Sequence, residues 1–115
     1  LKEADVEDHL IRRVRDFGGK TAKMTVAGQR GWPDRLVLMP GGITRLVELK
    51  RPKGGVLSEG QRRLFGEIAN LGLRVYRLNT KDDVDRFLDE CEALRRHKQR
   101  MRDEANARET NPHNA

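Results

Sequence analysis

The sequence predicts a small mixed α/β domain, a mixed β-sheet flanked by helices, with its elements in the order α-β-β-β-α-β-α. Three observations lead there. Apolar residues recur at helical spacing in three separate segments. Two short runs of strand-forming residues are joined by Pro40-Gly41-Gly42, which reads as a β-hairpin. Ser58 to Leu78 reads as a helix followed by a strand, the second half of a crossover unit that begins on the second hairpin strand.

Taken in order, Val6, Leu10, Val14 and Phe17, with Ile11 alongside, form an apolar stripe that Gly18-Gly19 stops, so a helix is expected over Glu3–Phe17. Lys20 to Val26 is a short, weak strand candidate, and Ala27 to Pro33 is a loop by its glycines and proline. Arg35–Met39 and Ile43–Lys50 are the hairpin strands, and Pro52-Lys53-Gly54-Gly55 ends the second in what should be a mobile, basic loop. Ser58 and Gln61 have the spacing of a capping box, followed by Leu64, Phe65, Ile68 and Leu71 on one face until Gly72. Leu73 to Leu78 alternates as a strand, and Thr80 to Asp83 caps a last helix carrying Val84, Phe87, Leu88, Cys91 and Leu94. Beyond Leu94 apolar residues almost vanish, so the folded domain is expected over residues 1–94 and a polar, charged tail, partly helical or disordered, over 95–115.

Composition bounds the function. A chain of 115 residues with 36% hydrophobic and 37% charged residues makes one domain with a heavily charged surface. The single cysteine, Cys91, rules out an internal disulfide and a Cys-based zinc site, and its place on the last helical stripe marks it as a core residue. No apolar run approaches the ~20 residues of a membrane span, so a soluble, cytoplasmic protein is expected. The net charge of +6 resides in residues 1–88, with 18 basic against 12 acidic side chains, while six of each balance from Asp89 onward. A basic folded part suits a polyanionic partner. Aromatic residues, at 4%, are too few for base-stacking platforms, so phosphate contact would dominate.

The chemistry lies in the hairpin. Asp34 opens its first strand, and Glu48 and Lys50 sit two apart near the end of the second, so pairing can bring two carboxylates and a lysine to one sheet edge. Hard oxygen ligands of this kind suit Mg²⁺, which takes one or two carboxylates and keeps its other positions for water and phosphate oxygens. A lysine beside such a cation can orient the nucleophile or offset charge in a phosphoryl transition state. A Glu-x-Lys pattern alone is more often an exposed salt pair, worth ~0–1 kcal/mol. The set changes that balance: Gly31-x-Pro33-Asp34, then Glu48-x-Lys50, then Ser58-x-x-Gln61 on a basic helix.

Gly31-Trp32-Pro33-Asp34, the Val47–Lys50 stretch VELK and the Leu57–Gln61 stretch LSEGQ together resemble the virus-type replication-repair nuclease (VRR-NUC) domain, a branch of the PD-(D/E)xK nuclease superfamily with a restriction-endonuclease-like core. The resemblance runs from about Glu3 to Leu88. It implies Asp34 and Glu48 as ligands of Mg²⁺ or Mn²⁺, the Leu49 main-chain carbonyl as a third, Lys50 as the catalytic lysine and Gln61 as a residue near the site. The first-helix glutamate of the family matches Glu7, with Glu3, one turn earlier, as the competing choice. The implied activity is endonucleolytic hydrolysis of DNA phosphodiesters to 5′-phosphate and 3′-hydroxyl ends. Family members of this length resemble phage-type homodimers that cut branched DNA such as Holliday junctions, whereas a monomer would suit flaps or single nicks.

Arg30, Arg35, Lys53, Arg62 and Arg63 surround the candidate site in sequence and are candidate phosphate contacts. Trp32 is expected to pack over its loop, with DNA contact as the alternative. His9, His97 and His113 are too scattered for a histidine-metal or triad site, and neither Gly-Gly pair has a phosphate-binding-loop ending. The rival to a nuclease is a non-catalytic nucleic-acid-binding module, and a structural adaptor is a third reading. The intact Asp, Glu and Lys argue against the binding module, and an adaptor would bind neither DNA nor metal.

Overall fold

A computed structural model describes residues 2–110. Its elements follow one another as α1 (Glu3–Asp16), β1 (Lys20–Lys23), β2 (Arg35–Met39), β3 (Ile43–Leu49), α2 (Glu59–Asn70), β4 (Val75–Leu78) and α3 (Lys81–Thr110). The order is the expected one. The weak first strand ends at Lys23 rather than Val26, and the last begins at Val75 rather than Leu73, because ladder pairing stops there.

The four strands form one sheet in the order β1-β2-β3-β4. The first two pairings are antiparallel, and β4 lies parallel to β3 after the α2 crossover. Strand alternation sends Val37, Met39, Ile43, Val47, Leu49 and Leu78 to one face. There they bury against Val6, Leu10 and Val14 of α1 and Val84, Phe87, Leu88 and Cys91 of α3, which is the hydrophobic core. Outside that core, His9 Nε2 and Arg13 Nε both reach Asp85 Oδ1, at 2.8 and 3.3 Å, and tie α1 to α3.

The second face is covered only in part. Helix α2 packs against β4 and buries Ile68, while Leu38 remains 44% exposed. Ser58 caps α2 as expected: its Oγ accepts from Gln61 N at 3.1 Å, and its N–H donates to Gln61 Oε1 at 3.0 Å. Thr80 and Asp83 cap α3 in the same reciprocal way, Asp83 N donating to Thr80 Oγ1 and Thr80 N to Asp83 Oδ2. Helix α3 then runs without a break to Thr110, exposed along its last two turns and well before them. Residues 111–115, with His113, lie outside the described part.

The basic loop after β3 is better anchored than its glycines suggest. Asn79 Nδ2 donates to the Arg51 carbonyl at 3.3 Å, and an Arg77 guanidinium N–H donates to the Gly55 carbonyl. Both anchors come from β4 and the residue that follows it.

Two glycines should respond with opposite signs. Gly31 has φ +86° and packs against the start of α2, within 3.7 Å of Gln61 from a Cβ position, so Gly31→Ala should cost ~1–2 kcal/mol. Gly66 lies in the exposed middle of α2 with open space beside it, so Gly66→Ala should stabilise by ~1 kcal/mol. Urea denaturation of both variants checks the pair.

Candidate active site

The site forms where β3 ends, between the β2 entry and the first turn of α2. Register sets Arg35 opposite Val47, so Asp34, one residue earlier, comes level with the end of β3. Its backbone carbonyl accepts from Met24 N at 2.8 Å, and its Oδ2 accepts from Leu49 N, also at 2.8 Å. Asp34 is thus fixed through both main chain and side chain.

Glu48 points away from its neighbours Val47 and Leu49 and toward α2, and it is only 2% exposed. Its Oε2 receives two donors, Gln61 Nε2 at 2.9 Å and Lys50 Nζ at 3.1 Å. Its Oε1 is buried with no hydrogen-bond partner. A buried oxygen left in that state normally costs ~1–3 kcal/mol. Burial, and then the nearby Asp34 carboxylate, push the Glu48 carboxyl above its ordinary range, while Lys50 and Gln61 pull it back only in part. Lys50 itself is 19% exposed, so its ammonium sits at the rim of the site.

A recess of ≈180 Å³ opens beside Asp34 and Leu49, lined further by Glu3, Ala4, Glu7 and Lys23. Glu3 and Glu7 therefore both face it, one turn apart on α1. Glu7 also carries an ion pair, its Oε2 accepting from Arg35 Nε at 2.9 Å. Among the described residues no three acidic, histidine or cysteine side chains converge as a ready metal cluster. The residues nonetheless fit a Mg²⁺-type ion: two carboxylates close enough to feel each other's charge, Glu48 with an orphaned buried oxygen and Asp34 beside a space that can keep water.

The candidate phosphate contacts divide. Arg30, Lys53, Arg62 and Arg63 are exposed and enter none of the ion pairs among the described residues. Arg35 is different, 14% exposed and committed to Glu7, so it braces α1 against β2 and presents little charge to a ligand. Trp32 is half-buried, its indole N–H donating to Gln29 Oε1 at 2.8 Å within the loop. Lys23 was not legible as a site residue, because only the β1–β2 register, Lys23 opposite Arg35, carries it to the recess.

Comparison with known proteins agrees with this geometry in fold. No sequence-family model matches the chain. The phage protein named "Putative nuclease p44", from Acyrthosiphon pisum secondary endosymbiont phage 1, is 38% identical over 82 residues, spanning 71% of this chain and 87% of that protein. A solved structure described as "VRR_NUC domain" superposes with a TM-score of 0.71 at 26% identity, over 76% of this chain and 94% of its own. The chain belongs to the VRR-NUC family. Among the described residues no helix is long and apolar enough to cross a membrane.

Two predictions follow the carboxylate and its amide partner. Because the folded-state pKa of Glu48 lies above its unfolded value, its ionisation destabilises the fold as pH rises through the window between the two values. Glu48→Gln should therefore be more stable than wild type at pH 7, with the difference closing as pH falls below ~4, where the carboxyl is neutral in both states. Thermal melts across pH 3.5–8 would read this. Separately, Ser58→Ala should cost ~1 kcal/mol as a lost cap and leave turnover near wild type, whereas Gln61→Ala should lose the cap and turnover together. Nuclease assays beside urea melts separate the two roles.

Proposed function

We propose that the protein is a divalent-metal-dependent DNA endonuclease, with Asp34 and Glu48 as the metal ligands, the Leu49 carbonyl as a third, and Lys50 as the catalytic lysine. The observation that carries this reading is the state of Glu48: buried beside Asp34, its Oε2 held by Lys50 and Gln61, its Oε1 without a partner. A structural salt pair would explain Oε2 and would leave Oε1 unexplained. Membership of the VRR-NUC family, and a relative named as a nuclease, support the same reading.

The cation, Mg²⁺ or Mn²⁺, supplies a Lewis acid that lowers the pKa of a water and offsets charge on the phosphate. The chain's own residues do the rest. The Leu49 N–H holds the Asp34 carboxylate in place, and Gln61 and Lys50 hold that of Glu48, so both carboxylates are set before substrate arrives. Lys50 lies beside Glu48, its Nζ 3.1 Å from Oε2. It orients the attacking water and stabilises negative charge as the water oxygen bonds to phosphorus and the P–O3′ bond breaks. The 3′ oxygen leaves with a proton, giving 5′-phosphate and 3′-hydroxyl ends. Glu7 and Glu3 are the α1 carboxylates that could join the ion from across the recess, and Glu7 would first have to share Arg35. Arg30, Lys53, Arg62 and Arg63 are the phosphate contacts we assign nearest the site.

The finer reading is a homodimer acting on branched duplex DNA such as a four-way junction. It is supported by the open second face of the sheet, where an apolar hollow of ≈380 Å³ is lined by Leu36, Leu46, Leu73 and Tyr76 among others.

Labelled four-way junction, flap, single-stranded and linear duplex DNA should be cut with Mg²⁺ or Mn²⁺ and left intact with EDTA. Asp34→Asn and Glu48→Gln should abolish cutting, and Lys50→Met should lower it by ~10²–10³-fold. Mg²⁺ should raise the melting temperature of wild type and not of Asp34→Asn. Equal cutting by wild type and Glu48→Gln would refute the site, and single rather than paired symmetric nicks at the junction would refute the dimer.

A further inference from the structure

Helix α3 outlasts its packing. Cys91 is its last buried residue, yet the helix continues to Thr110, and every residue from Arg96 to Thr110 is exposed. A polar helix with no packed face draws its stability from side-chain pairs and from propagation out of the packed part. Such pairs are present: Glu92 with Arg95 and Arg96, Gln99 with Asp103, and Glu104 with Arg108. They give the extension order, and they leave its purpose open, since the core gains nothing from it.

Its charge is unevenly distributed. Five of the eight residues from Arg95 to Arg102 are Lys or Arg, and none is acidic. Arg95 and Arg96 are held by Glu92. Lys98, Arg100 and Arg102 enter none of the ion pairs among the described residues and are exposed. The overall balance of charge from Asp89 to the end conceals this block, because its acidic residues lie on either side. Met101 is the one large apolar residue exposed on this stretch, too little for an apolar interface.

Position matters as much as charge. Arg95 lies against the β2–β3 turn, 3.0 Å from the place of a Cβ on Gly41, so the block begins at the end of the sheet opposite Asp34, Glu48 and Lys50. The length of β3 separates the two ends by roughly 20 Å, and the helix carries Arg102 roughly 10 Å beyond Arg95.

We propose that Lys98 and Arg102, one turn apart on the face of α3 that also carries Arg95, form a second phosphate-contact surface, which holds the backbone of duplex DNA at a distance from the cleavage site. At 3.4 Å per base pair the contacted phosphates lie roughly six to nine base pairs from the scissile one. The inference rests on the nuclease reading, which brings DNA to this chain and makes a polyanion the fitting partner. The surface contributes affinity and a minimum substrate length, and takes no part in bond breaking.

The test compares wild type with the variant Lys98→Gln/Arg102→Gln, glutamine being chosen to preserve helix. Circular dichroism confirms that helix is retained. Binding is measured by fluorescence anisotropy in EDTA on two duplexes, of six and of thirty base pairs, across a salt series. On the long duplex the variant should bind at least tenfold more weakly, with a salt slope smaller by up to about 2. On the short duplex the two proteins should match, and kcat at saturating long substrate should be unchanged. Equal affinity and slope on the long duplex would overturn the proposal, as would the same loss on both lengths. Cleavage assayed in parallel separates the two readings: wild type that binds without cutting in Mg²⁺ or Mn²⁺ refutes the nuclease, while the length-dependent difference in binding decides the arm.

Discussion

The site depends on keeping one carboxylate buried at the end of β3. Glu48 lies where a sheet of this size would ordinarily place an apolar side chain, and taking an ionised carboxylate out of water costs several kcal/mol even after relaxation. Two donors on Oε2 meet part of that cost, and Oε1 is left without one. The Asp34 carboxylate nearby raises the cost again. A fold selected for stability alone would have no use for this arrangement, whereas a cation seated between the two carboxylates would relieve both strains at once. On the proposed reading the carboxylates are preorganised at the expense of stability, which suits a site proposed to bind a strongly hydrated ion with few ligands.

The surrounding elements can be understood as supports for that carboxylate. Gln61 uses its carbonyl oxygen to cap α2 through Ser58 N and its amide nitrogen to hold Glu48, so helix initiation and site geometry share one side chain. The Gly31–Pro33 loop packs on the same turn of α2, with Pro33 fully buried. From the other side, Arg35 ties Glu7 of α1 to the strand that follows Asp34. This pairing explains why a basic residue adjacent to the site contributes little to its surface charge.

The proposed substrate contacts divide into two regions with different neighbours. Near the candidate site in sequence, Arg30 and Lys53 stand exposed on loops and Arg62 and Arg63 near the start of α2. Along the exposed part of α3 the cations cluster with no acid between Arg95 and Arg102, and they lie beyond the opposite end of the sheet. One region suits placing a phosphate for reaction and the other suits holding a long polyanion, since exposed charge acts over about a Debye length without needing a fixed geometry.

Much of this was legible in the sequence because it is local. The apolar stripes of α1, α2 and α3, the Pro40-Gly41-Gly42 turn and the Ser58–Gln61 box each involve residues within a few turns of one another, and the Asp34, Glu48, Lys50 grouping follows from hairpin pairing. Tertiary structure decided what depends on register and on contacts between distant segments. Only the β1–β2 pairing brings Lys23 to the recess, and only the approach of α1 to β2 takes Arg35 out of solvent and sets Glu3 and Glu7 on one wall. Strand alternation determined by itself that Glu48 would oppose Val47 and Leu49. Whether that face would be wet or buried depended on where α2 settled, because desolvation is a property of the packed molecule and spacing along the chain carries no measure of it.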